Sequence, residues 1–161
     1  LVGLNKKERE EKIKELASLM GMENVLNKLV RDYSGGMVRK LEIAQSLLHY
    51  PKILLLDEPT IGLDPIARRS VWEILEKLKE NYDVTTLMST HYMEEAEMLC
   101  DRLAIMDRGH IVAIGSPKEL MEKTETNSLE QAFIALTGHE VEEGGNFREL
   151  RKVRRTARRL Q

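Results

Sequence analysis

Lys52-Ile53-Leu54-Leu55-Leu56-Asp57-Glu58-Pro59-Thr60 is the stretch whose reading decides the fold. Four branched apolar residues in succession, with no polar residue on either face, read as a strand buried on both sides, the kind found at the centre of a parallel α/β sheet. Pro59 cannot continue a ladder, so the strand ends with two carboxylates at its tip. In open α/β sheets that end is where ligands bind. Adjacent side chains on an extended chain point to opposite sides, which leaves Asp57 and Glu58 free for different tasks. One suits a metal ion held through oxygen or water, the other the orientation or deprotonation of an attacking water. Taken alone, the pair is equally compatible with salt-bridged acids at a sheet rim.

Downstream, Ile61-Gly62-Leu63-Asp64-Pro65 reads as a turn in which Asp64 caps a helix running from Pro65 to about Lys79. A second buried strand, Val84 to Ser89, delivers Thr90 and His91 at its end, on the ligand side if it runs parallel to the first. A histidine there is also an ordinary structural or solvated residue. Tyr92 to Leu99 reads as a helix with Glu94, Glu95 and Glu97 in its early turns. Leu103–Met106 and Ile111–Ile114 read as paired strands joined through Arg108-Gly109-His110. Gly115 to Leu120 reads as a strand end and a proline-started helix, and Ser128 to Leu136 as a short terminal helix.

Upstream, Asn5 to Met20 is predicted helical: Asn5 can cap it, Glu8, Glu10 and Glu11 favour its positive end, and Ile13, Leu16, Ala17 and Met20 form an apolar stripe stopped by Gly21. Val25, Leu26, Leu29 and Val30 are expected to continue a helical subdomain. Asp32-Tyr33-Ser34-Gly35-Gly36-Met37 then opens a strong helical pattern from Val38 to Leu48. A hydroxyl and two glycines at a helix start expose backbone N–H groups and let a bulky anion approach. The same three residues also describe an ordinary serine cap after a glycine turn.

The composition, 42% hydrophobic and 32% charged over 161 residues, is that of one ordinary α/β domain. The single Cys100 excludes an internal disulfide, and there is no Cys/His cluster at metal-ligand spacing, which fits a reducing compartment. Neither a signal peptide nor an apolar run long enough to span a bilayer is present in these residues. The net charge of −2 is unevenly spread: from Phe147 onward there are seven Arg or Lys and one acid, a net +6 that leaves −8 on the remainder. Residues 139–145 read as an acidic, glycine-containing linker. Phe147, Leu150, Val153, Ala157 and Leu160 allow a basic amphipathic helix, suited to anionic lipid or an acidic partner, although a solvated tail fits the same residues. The acidic body argues against a broad nucleic-acid footprint, so no nucleic acid is expected.

The order and spacing of these features resemble the nucleotide-binding domain of the ATP-binding cassette (ABC) family. Tyr33-Ser34-Gly35-Gly36-Met37 is similar to the family's LSGGQ signature, and Ile53 to Asp57 to its Walker B strand. Glu58 resembles its catalytic glutamate, Gly62-Leu63-Asp64 its D-loop and Ser89-Thr90-His91 its switch-histidine loop. The resemblance runs from about Asn5 to Leu136. Tyr33 and Met37, with the 128–138 segment, look like the cassettes of multidrug and daunorubicin-resistance-type exporters.

What the resemblance implies is an α/β, partial P-loop NTPase fold with a mostly parallel core sheet: residues 1–50 a helical signature subdomain, 51–138 the Walker B, D-loop and H-loop core, and 139–161 a linker and tail. It implies ATP and Mg²⁺ as ligands, Asp57 for Mg²⁺, Glu58 for the attacking water and His91 for the γ-phosphate. Ser34, Gly35, Gly36 and Met37 are implied to meet a nucleotide held by a second, head-to-tail cassette, with Asp64 at that interface. The implied setting is the cytoplasmic side of a membrane, on an integral membrane transporter subunit. Phosphoryl transfer asks a protein mainly for positioning and charge, which an acid pair, a histidine and a helix N-terminus offer.

The departures carry equal weight. The sequence contains no G-x-x-x-x-G-K-[ST], hence no loop to cradle the α- and β-phosphates, and it opens on Leu1 rather than Met. It is expected to be the second half of a cassette, binding ATP poorly by itself and hydrolysing it at no useful rate. A soluble cassette of translation or DNA maintenance is the alternative, although no sustained heptads precede Ser34. A non-catalytic partial cassette that completes a partner's site is another.

Overall fold

The computed structural model describes residues 5–138, so the linker and basic helix expected over 139–161 lie outside the described residues. The chain divides into two compact units: residues up to His91 together with Glu95–Leu99, and Tyr92–Glu94 together with the residues from Cys100 onward.

In the first unit, helix α1 (Lys6–Leu19) starts in a capping box: Asn5 Oδ1 accepts from the Glu8 amide and Glu8 Oε2 accepts from the Asn5 amide. Leu16, Ala17 and Met20 are buried as the periodicity requires, whereas Ile13 is exposed. The helical subdomain expected around Val25 to Val30 is instead two single 3₁₀ turns, Glu23–Val25 and Val30–Asp32. Leu26, Leu29 and Val30 are exposed there, so the segment has too little buried apolar surface to fix a longer helix.

Helix α2 (Gly35–Ser46), strand β1 (Ile53–Asp57), helix α3 (Pro65–Asn81) and strand β2 (Thr85–Ser89) follow. The strands pair in parallel, in register from Ile53 opposite Thr85 to Asp57 opposite Ser89. Helix α3 buries Val71, Ile74, Leu75 and Leu78 at three- and four-residue steps, against Leu16, Met20, Ile43, Leu47 and Leu54. Each such side chain contributes about 1.5–3 kcal/mol when fully removed from water.

The strands expected to be buried on both faces are covered on one. Leu54 is 3% exposed, but Ile53, Leu55 and Leu87 are 63%, 70% and 67% exposed. Among the described residues, the helices of this unit cover one side of a two-stranded sheet, so the alternate side chains face outward. An unbroken apolar run therefore marks two apolar faces without guaranteeing two covers.

In the second unit, strands β3 (Leu103–Asp107) and β4 (His110–Gly115) form an antiparallel hairpin. Arg108 and Gly109 make its two-residue turn with φ of 47° and 80°, the left-handed pair that matches strand twist. Helix α5 (Pro117–Lys123) has a Ser116/Glu119 capping box and Pro117 in its first turn. Helix α6 (Leu129–Thr137) is capped by Ser128 and closed by left-handed Gly138. Leu120, Leu129, Ala132, Ile105 and Ala113 are buried. Helix α4 (Met93–Leu99) has its residues from Glu95 onward in the first unit.

Candidate functional site

Because β1 and β2 are parallel and in register, their carboxyl ends lie side by side, and both expected groups emerge there. Asp57, the last residue of β1, accepts a hydrogen bond from the hydroxyl of its register partner, Ser89. The Glu58 backbone N–H is shared between Ser89 O at 3.1 Å and Ser89 Oγ at 3.0 Å. Ser89 thus fixes both acids at once.

Glu58 is not extended: its φ is 44°, in the left-handed region, and its carbonyl accepts from the Ile61 amide at 3.2 Å. For a side chain other than glycine this conformation costs about 1–2 kcal/mol, and such strain concentrates at functional sites. The two acids take different partners, Ser89 for Asp57 and His91 for Glu58, and Glu58 does so from a turn and not from the strand. Glu58 Oε2 reaches 3.1 Å from His91 Nδ1, within ion-pair range, while remaining a buried oxygen with no hydrogen bond. Both side chains are 37% exposed, open enough for a ligand to reach them.

The glycine turn forms a second cluster. Ser34 caps α2 by accepting from the Met37 amide at 3.3 Å, so the ordinary capping reading is physically realised. Gly35 is exposed and lies near Leu63, whereas Gly36 is buried and a Cβ on it would fall 2.9 Å from Ala67 Cβ. Close helix contact therefore accounts for Gly36. Met37 packs its side chain against the core of the first unit. Asp64 caps α3, accepting from the Ile66 and Ala67 amides at 3.0 Å each. The turn carrying Asp64 and the start of α2 are neighbours through Leu63 and Ala67.

One group escaped the sequence reading. Glu95, which its spacing presents only as one of several acids in an early helical turn, is 0% exposed. Its Oε1 accepts from Thr60 Oγ1 and from Trp72 Nε1, each at 2.8 Å. Glu95 is indistinguishable by spacing from Glu94 and Glu97, so only the three-dimensional partners reveal it.

The donor set beside Asp57 is one exposed carboxylate and a hydroxyl, all hard oxygen. That suits Mg²⁺, which keeps several waters and takes one or two carboxylates together with substrate phosphate. Among the described residues no cluster of three or more His, Cys, Asp or Glu is placed as a self-sufficient metal cage, and no helix is long and apolar enough to cross a membrane.

Residues 2–61 match the family described as ABC transporter. An uncharacterised ABC transporter ATP-binding protein, YxlF, of Bacillus subtilis is 42% identical over 127 residues, covering 79% of this chain and 42% of that protein. The Nod factor export ATP-binding protein I of Cupriavidus metallidurans is 42% identical over 120 residues, 74% of this chain and 39% of that protein. Among solved structures, cbiO1 of Clostridium perfringens, part of the ABC transporter complex cbiONQ, superposes with a TM-score of 0.71 at 28% identity, over 77% of this chain and 49% of that one. The chain thus spans about two fifths of the length of these curated relatives. Its fold is a partial α/β ABC ATPase fold, and the chain belongs to the ABC transporter ATP-binding family.

Proposed function

We propose that this chain supplies the hydrolytic side of an ABC ATPase that powers export through a membrane partner, and that it acts together with residues that hold the nucleotide. The observation that carries this reading is the 3.1 Å approach of Glu58 Oε2 to His91 Nδ1 at the ends of two parallel strands, with Asp57 bonded to Ser89 alongside. Glu58 is the base: its carboxylate, 37% exposed beside His91, takes the proton of a water attacking a γ-phosphate. His91 donates to the γ-phosphate oxygens and is kept in place by the same carboxylate. Asp57, with Ser89 beside it, would hold Mg²⁺, which when bound would supply positive charge toward the phosphate oxygens. The N-terminus of α2, from Ser34 to Met37, is directed at the triphosphate of a second cassette across a head-to-tail dimer, with Asp64 at the same interface.

The export assignment draws on the relative that is named for Nod factor export. The whole assembly would sit on the cytoplasmic face of a membrane as a peripheral subunit. Without G-x-x-x-x-G-K-[ST], these 161 residues hold ATP weakly by themselves. The role of Asp57 is tested in a cassette of the relatives' length carrying these residues. Asp57→Asn is expected to raise the Mg²⁺ concentration for half-maximal phosphate release about tenfold or more, the loss of one charged ligand. An unchanged Mg²⁺ dependence would remove Asp57 from the metal.

A further inference from the structure

We propose that Glu95 is a positioning residue: it ties the turn that carries Glu58 to the segment that carries His91, and so sets the gap between them. The inference rests on the hydrolytic reading above but has its own structural readout. Glu95 lies four residues beyond His91 and Thr60 two beyond Glu58. Thr60 and Glu95 are each 0% exposed, and the Thr60 hydroxyl donates to Glu95 Oε1 at 2.8 Å. The same oxygen takes the Trp72 indole N–H at 2.8 Å, which pins the carboxylate to α3, the rigid helix at the centre of the first unit's core.

The chain from Glu58 to Leu63 hangs on this point. The Ile61 amide donates to Glu58 O and the Leu63 amide to Thr60 O, each at 3.2 Å, while the Glu58 amide crosses to Ser89. Thr60 is buried in this turn, and its side chain is fastened to Glu95 on the His91 side.

The choice of an acid is itself informative. Glu95 Oε2 is buried without a hydrogen-bond partner, and a buried carboxylate with an unsatisfied oxygen is destabilising relative to an apolar residue of the same volume. What the carboxylate supplies is two charge-assisted bonds, stronger and shorter than neutral ones, converging from two elements on one atom. That is a gain in geometry. A displacement of about 1 Å at a reacting group can cost on the order of 10²-fold in rate, so a fixed turn at Glu58 is where such a gain registers.

The test compares Thr60→Val, which is nearly isosteric and deletes one bond, with Glu95→Leu and Glu95→Gln. Hydrogen–deuterium exchange of the 161-residue chain is read by mass spectrometry at dilute protein. In Thr60→Val and Glu95→Leu, the peptide over 58–63 should exchange about tenfold faster, the effect of one buried hydrogen bond, with the peptide over 74–81 of α3 unchanged. Glu95→Gln keeps an acceptor oxygen but loses the charge, so its exchange over 58–63 should rise less than in Glu95→Leu and lie between that variant and the parent. Unchanged exchange over 58–63, or an equal rise over 74–81, would overturn the tie. If Glu95→Leu does not fold, Thr60→Val decides alone.

In a cassette of the relatives' length, Thr60→Val should lower kcat about 10- to 100-fold with KM held. A broken tie with kcat within about twofold of the parent would overturn the positioning role. Should the parent cassette show no Glu58-dependent turnover, the hydrolytic reading falls, and the exchange data still judge the tie.

Discussion

A Cβ on Gly36 would sit 2.9 Å from Ala67 Cβ, closer than two such carbons approach in folded proteins. Alanine ordinarily gains about 1 kcal/mol over glycine inside a helix. Here the clash is between two backbone-anchored carbons of α2 and α3, and overpacking of this kind costs about 1–3 kcal/mol. The clash wins, so Gly36→Ala should lower stability by about 1 kcal/mol or more, read as a fall in the urea midpoint at constant slope. Gly35→Ala, whose Cβ would meet Leu63 at an ordinary 3.8 Å, should leave the midpoint nearly unchanged. Two adjacent glycines that look alike in sequence thus serve different ends, one helix packing and the other an open helix start. Glu58 makes the same point from the other side. Its left-handed φ of 44° is a local cost that only the surrounding hydrogen bonds sustain.

At the scale of elements, α1 is joined to the loops before β1 and β2 by a cluster that no motif announces. Lys12 is 3% exposed, with its Nζ 3.7 Å from the centre of the Tyr50 ring and 3.1 Å from Glu15 Oε1. The Tyr82 hydroxyl donates to the same Glu15 oxygen at 2.7 Å. Burial and then this bond to the carboxylate push the Tyr82 phenol up from 10.0 to about 12. A raised folded pKa means that the folded state holds the proton more tightly than the unfolded chain. The stabilisation is therefore complete below pH 10 and lost as pH climbs toward 12. Denaturant midpoints should fall across that window and fall less in Tyr82→Phe; parallel curves for the two proteins would exclude the bond. The caps of α1, α2 and α3 are legible because Asn5, Ser34 and Asp64 each stand just before a helical pattern, a purely local signal. The Lys12 cluster and the Glu95 tie are not, since both join residues tens of positions apart whose types match those of any solvated helix face. The one-sided burial of β1 was hidden for a related reason, since apolarity records which faces avoid water and not what covers them.

For the molecule as a whole, the uncovered face of the β1–β2 sheet is its most consequential surface. Ile53, Leu55 and Leu87 are each more than three-fifths exposed on it, in a parallel pair of a kind normally covered on both sides. Contiguous apolar surface of this sort drives association. The isolated chain should therefore self-associate with rising concentration in light scattering, and Leu55→Lys with Leu87→Lys should suppress it. A parent chain that stays monomeric and unfolds cooperatively would contradict this. The central claim concerns the chemistry at the strand ends, and its most direct test is steady-state phosphate release from Mg-ATP by a cassette of the relatives' length with and without Glu58→Gln. The amide keeps the size of the side chain but cannot accept a proton, so turnover should fall by about 10²-fold or more while nucleotide binding by calorimetry is retained. Turnover in Glu58→Gln equal to that of the parent would contradict the account.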